Sequence, residues 1–183
     1  MKTLTNLITK VLIILISTIG VVSCGDSPEE LSQKGQDYFK VGNYTEAIKY
    51  FKLSAEQGNG MSQVFLVAMY TDGLGVEQNY YEAVKWAKLA AEQGEELGQY
   101  MLGRLYMQGY GVEQNYNEAA KWAKLAAEQG LAEAQALLAL LYIQGWGVEQ
   151  NDYEAEKWLK LAAEQGYEPA ITLLNSSEDR IYQ

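Results

Sequence analysis

The sequence predicts an all-α fold, a right-handed α/α solenoid of stacked helix-turn-helix repeats. Three observations carry that expectation. The tetrapeptide Ala-Glu-Gln-Gly recurs at 55–58, 91–94, 127–130 and 163–166, 36 residues apart each time. Gly-Val-Glu-Gln-Asn recurs at 75–79, 111–115 and 147–151 with the same period. Trp86, Trp122 and Trp158 keep that register, and Tyr50 holds the corresponding place one unit earlier. A repeat of this length marks units that cannot bury their apolar faces alone and do so against one another.

The chain begins with an address rather than a structural element. Lys2 and Lys10 give a positive start, and Val11 to Ser23 is an uncharged, mostly apolar run of 13 residues. Crossing ~30 Å of hydrocarbon takes about 20 such residues, so this run has the length of a secretory signal's apolar region instead. Val21-Val22-Ser23-Cys24 follows, a small residue standing directly before the only cysteine. This resembles a bacterial lipobox, with Val21 where leucine is commonest. The resemblance implies a signal peptide over 1–23, lipidation of Cys24, and a short polar tether over 24–28. It also implies attachment to the membranes of the bacterial cell envelope by lipid chains, each buried methylene contributing about 0.8 kcal/mol. Gly25 stands where an aspartate often retains such proteins at the inner membrane, so the expected location is the outer membrane, facing the periplasm.

Residues 29–58, 59–94, 95–130 and 131–166 each read as a pair of helices, and 167–183 as a capping helix and tail. Each second helix opens at an asparagine followed three residues later by glutamate: Asn43/Glu46, Asn79/Glu82, Asn115/Glu118 and Asn151/Glu154. That spacing predicts a capping box, the Asn side chain accepting from a first-turn N–H and the Glu reaching back to the cap. An apolar stripe such as Ala83, Trp86, Ala87 and Ala90 follows at helical spacing and is expected to face inward. Gly58, Gly94, Gly130 and Gly166 then end these helices in a left-handed cap.

First helices are more apolar, as in residues 134–142, and Gly98, Gly103, Ala134 and Ala139 allow neighbours to approach closely. Between the two helices sits Gly73-Leu74-Gly75, Gly109-Tyr110-Gly111 or Gly145-Trp146-Gly147. No strand precedes these glycines and an acidic Val-Glu-Gln follows, so they are assigned to the turn rather than to a phosphate loop.

Leu102-Gly103-x-Leu105-Tyr106, Gly109-x-Gly111-Val112, the Asn115 cap, Ala119, Trp122 and Ala126-Ala127-Glu128-Gln129-Gly130 resemble the Sel-1-like repeat, a longer relative of the tetratricopeptide repeat. The resemblance is strong over about residues 60–166. The first unit lacks four loop residues at Tyr38-Phe-Lys-Val-Gly-Asn-Tyr44, which brings it nearer to a plain tetratricopeptide repeat.

Composition narrows the function. The 183 residues include 14 basic and 24 acidic side chains, a net charge of −10, and no histidine. The acidic balance argues against a nucleic-acid partner, which needs clustered Lys and Arg. Without histidine the usual general base and the commonest metal ligand are missing. No Walker loop, Gly-x-Ser-x-Gly or HExxH motif occurs. Glu29/Glu30 and Glu95/Glu96 are read as first-turn charge. No cofactor, metal or catalytic residue is therefore expected, and the chain reads as a non-enzyme.

What remains is surface. In the geometry the resemblance implies, first helices line the inner curve, where Met61, Val64, Ala68 and Thr71, then Leu97, Tyr100, Arg104 and Met107, then Glu133, Ala136, Leu140 and Ile143 look inward. Apolar and aromatic groups with one cation suit a protein or peptide partner, and tight packing between units is the competing reading. The turn row Leu74, Tyr110 and Trp146 is a second candidate, open between an interface and folded-in anchors. The family resemblance implies an adaptor or assembly factor, with a toxin-neutralising immunity protein as one specific role. The alternative is a cell-wall-related enzyme or a peptidoglycan- or β-lactam-binding protein, after a cysteine-rich branch of the family; residues 25–183 contain no cysteine.

Overall fold

The computed structural model describes residues 25–181, the side chains of 176–181 excepted. The signal segment 1–23 and Cys24 lie outside the described residues. Among the described residues there are nine helices and no strand: α1 Pro28–Lys40, α2 Tyr44–Glu56, α3 Gly60–Asp72, α4 Tyr80–Glu92, α5 Glu96–Gln108, α6 Tyr116–Glu128, α7 Ala132–Gln144, α8 Asp152–Glu164 and α9 Glu168–Ile181. Each packs on the next in the chain, and α3 also touches α5 directly. The result is a stack of helical hairpins, an α/α solenoid, closed at its end by α9, whose Ala170 is fully buried.

The 36-residue register is built from small residues and caps. Ala83, Trp86, Ala87 and Ala90 are all buried, as the stripe predicts. Where a first helix meets the preceding second helix, a Cβ on Gly98 would come within 2.5 Å of the Ala90 Cβ, so that crossing requires glycine. The second glycine of each turn seats the loop on the preceding unit. At φ of +68° to +70°, a Cβ on Gly75, Gly111 or Gly147 would collide with the backbone carbonyl of Tyr44, Tyr80 or Tyr116, the first residue of the preceding second helix.

The predicted capping boxes form only by half. Asn43, Asn79, Asn115 and Asn151 each accept from the N–H of the glutamate three residues on. The return bond is absent because the cap N–H already donates to the carbonyl of Tyr38, Tyr70, Tyr106 or Tyr142 at 2.9–3.1 Å. The four glutamates turn outward to lysines instead, as Glu46 does to Lys49 at 2.6 Å. The complete box is the one at Ser27 and Glu30, which starts α1.

A feature the periodicity did not reveal is a ladder of buried glutamines. Gln63, Gln99 and Gln135 are 2–6% exposed. Each donates to the carbonyl of Ala55, Ala91 or Ala127 in the preceding second helix. Each also accepts from Gln93, Gln129 or Gln165, thirty residues further along. Buried polar groups are tolerated when paired, and here the pairing ties each first helix to the second helices before and after it.

Candidate partner-binding groove

Tyr100, Arg104 and Met107 lie on one face of α5, spaced to point the same way. Arg104 is exposed, and its guanidinium sits over the Tyr100 ring at 5.7 Å. It forms no ion pair with Glu133 among the described residues, although Glu133 is near enough to influence the same neighbour. That neighbour is Tyr167, whose phenol is pushed above its ordinary pKa by burial first, then by Tyr100 and Glu133, with Arg104 acting against them. Tyr167 follows the last Gly-containing turn, outside the helices whose faces the periodicity could assign.

Between α3 and α5 lies a cavity of about 130 Å³ with an apolar floor of Val67, Met101 and Leu105 and a polar rim of Thr71, Asp72 and Arg104. Sequence reasoning placed Ala68, Thr71 and Arg104 here but missed the floor residues. They belong to the flank where two first helices meet, which a single-helix pattern does not mark.

The other inner-curve residues divide. Val64 is 6% exposed and closed off from solvent, a correction to its expected place in the groove, since first helices meet here instead of standing apart. Tyr100 and Met107 are half-buried against the core of the next unit, and Ile143 against the last one. Leu140 is half-buried on α7. The turn row folds in: Tyr110 lies against Tyr80 with ring centroids 4.7 Å apart, and Trp146 stacks on Tyr116 at 4.9 Å. These rings anchor each loop to the preceding unit, though Tyr110 keeps 43% of its surface exposed.

No group of three or more His, Cys, Asp or Glu among the described residues could hold a metal ion. No helix among them is long and apolar enough to cross a membrane. Fold and groove together define a helical-repeat scaffold that offers surfaces between units. The Sel1 repeat matches four times, at residues 25–59, 61–95, 97–131 and 132–167, most of the chain, and the chain belongs to the Sel1-repeat family. The match includes the first unit, whose interhelical loop is only Val41 to Asn43.

Solved structures agree. A protective antigen of uropathogenic Escherichia coli displaying an SLR fold is 35% identical, with a TM-score of 0.79 over 84% of this chain and 34% of that one. A Sel1 repeat protein from Oxalobacter formigenes is 36% identical, with a TM-score of 0.71 over 76% of this chain and 57% of that one. This chain thus spans about a third and somewhat over half of those two proteins. Cysteine rich protein B of Helicobacter pylori, at 23% identity and a TM-score of 0.57 over 72% of this chain and 94% of that one, shares the fold. No curated protein matches the sequence. Sel1 repeat proteins typically mediate protein–protein interaction and are generally non-catalytic scaffolds.

Proposed function

We propose that this chain is a lipid-anchored envelope protein that holds a protein or peptide partner in the groove between α3 and α5. The observation that carries the reading is Arg104, an exposed guanidinium on an aromatic ring, with no carboxylate paired to it among the described residues, at the rim of an apolar cavity. The equivalent residues one unit before and after are Ala68 and Leu140, so the repeat itself does not require a cation there. A guanidinium in that setting binds a partner carboxylate through two parallel hydrogen bonds, while the floor takes an apolar side chain. The cleaved chain's balance of 12 basic against 24 acidic groups would help steer a basic partner at low salt, which suits a toxin-neutralising role.

Arg104→Glu tests the groove. Because Arg104 makes no ion pair among the described residues, thermal unfolding should shift by no more than a degree or two. Capture of the partner, cross-linked to the wild-type protein in cells and then purified, should weaken at least tenfold, ~1.4 kcal/mol or more. Unchanged capture, or a sharply lowered melting temperature, removes the groove from consideration.

The anchor has its own test. Cys24→Ser should block lipid attachment and leave an unprocessed precursor of higher mass on intact-mass measurement. A variant that is cleaved normally and released as soluble protein would exclude the lipoprotein reading. Cleavage before Cys24 leaves 12 basic against 24 acidic groups, since only Lys2 and Lys10 are lost.

A further inference from the structure

On the second-helix side of the stack, away from the Arg104 groove, two cavities are copies of one another. One, about 480 Å³, lies between α2 and α4; the other, about 580 Å³, lies between α6 and α8. Every residue lining the first recurs 72 positions on in the second, so Lys52, Glu56, Glu77, Glu82 and Trp86 become Lys124, Glu128, Glu149, Glu154 and Trp158. Trp86 is 6% exposed, yet its Nε1–H is buried without a hydrogen-bond partner, as is that of Trp158. A buried donor left unpaired is costly, and native structures seldom keep one without a use.

The intervening unit shows where this donor points. Trp122 Nε1 donates to Glu118 Oε2 at 3.0 Å. Glu118 is the counterpart of Glu82 and Glu154, both of which line the cavities, so the unpaired indole N–H groups of Trp86 and Trp158 face the cavity wall. Glu82 and Glu154 are drawn instead to Lys85 at 3.5 Å and Lys157 at 3.2 Å. Glu56 and Glu77 in the first cavity, and Glu149 in the second, form no ion pair among the described residues. Each cavity therefore combines an unpaired hydrogen-bond donor with at least one unpaired carboxylate among the described residues, in a chain of net charge −10.

We propose that these two grooves bind a basic peptide segment of a partner. The segment displaces the Lys85 or Lys157 side chain that lies over the ring. One of its backbone carbonyls then accepts from the otherwise buried Trp86 or Trp158 indole, and its Lys or Arg side chain lies against Glu77 or Glu149. A carbonyl fits better than a partner carboxylate because the cavity walls already carry more acids than bases. Two equivalent grooves separated by one repeat give a single extended segment two points of attachment, which raises its hold without any new kind of contact.

The test uses the purified protein with 15N-labelled tryptophan and an N-acetylated, C-amidated Lys-Ala-Lys-Ala-Lys peptide as probe. The Trp86 and Trp158 indole N–H signals should move saturably, with Trp122, already bonded to Glu118, moving little. The Glu77→Gln/Glu149→Gln double variant, altered only at exposed loop positions, should keep its indole spectrum and bind the probe at least about fivefold more weakly. The proposal is overturned if no indole moves, if all four tryptophans move alike, or if the double variant binds unchanged. It is also overturned if the Trp86 indole resonates in the free protein as Trp122 does, since Glu82 would then already satisfy it.

Discussion

Gly111→Ala should destabilise the protein by about 2–5 kcal/mol, more than a single methyl group ordinarily costs. Two effects add. An L-residue forced to the φ of +68° found here loses roughly 1–2 kcal/mol. The new Cβ then meets the backbone carbonyl of Tyr80, which cannot retreat without moving the start of α4, and overpacking of that kind costs about 1–3 kcal/mol or more. Gly130 supplies the control. Its φ is +99°, but a Cβ there meets nothing within 4 Å, so Gly130→Ala should lose only the conformational part, about 1–2 kcal/mol. Urea unfolding of the two variants, followed by helical circular dichroism at matched slopes, compares them directly. Equal losses would mean that the loop is not seated on the preceding unit, and that the second glycine serves its own turn alone.

That contact shows what the sequence could and could not reveal. The period of 36, the asparagine caps and the inward Ala/Trp stripe are properties of one helix or one turn, and each leaves a local pattern. Each second helix starts directly after its asparagine and ends two residues before its glycine. The second half of the capping box failed for a non-local reason: the N–H it needs belongs to a tyrosine carbonyl on the other helix of the hairpin. The glutamine ladder was hidden in a similar way. Gln93, Gln129 and Gln165 stand inside the repeated Ala-Glu-Gln-Gly, and their partners Gln63, Gln99 and Gln135 sit thirty residues earlier. Recurrence of both at the 36-residue period was the available signal.

The groove was legible at its cation and not at its floor. Arg104 departs from its counterparts Ala68 and Leu140, and a departure from an internal repeat is visible without any structure. Which neighbours surround it depends on how closely two first helices approach. The sequence does not state that distance, and it left Val64 on the wrong side of the surface. Tyr110 and Trp146 are subject to the same limit. Equivalent turn positions carry large rings, but only the docking of each loop on Tyr80 or Tyr116 distinguishes an anchor from an exposed ridge.

The tryptophans carry the other large effect. From position along the stack alone, Trp122 in a central unit should matter most and Trp158 less, because an end unit has fewer neighbours to lose. Burial reorders them. Trp86 is 6% exposed and belongs to the largest core cluster, together with Phe51, Leu66, Met69 and Leu102, whereas Trp122 and Trp158 are only partly buried at their cluster edges. Trp86→Ala should therefore cost about 3–5 kcal/mol, the range for removing a large buried ring whose surroundings cannot collapse into the gap. Trp122→Ala loses less apolar burial but also its indole bond to Glu118, a hydrogen bond to a charged group, which narrows the difference without closing it. Denaturant midpoints for the three Ala variants should rank Trp86 as the most damaging. A loss below about 1 kcal/mol at Trp86 would be the behaviour of a surface position. It would mean that the second helices do not seal the stack with their aromatic ring, and the inward assignment of the whole repeated stripe would fall with it.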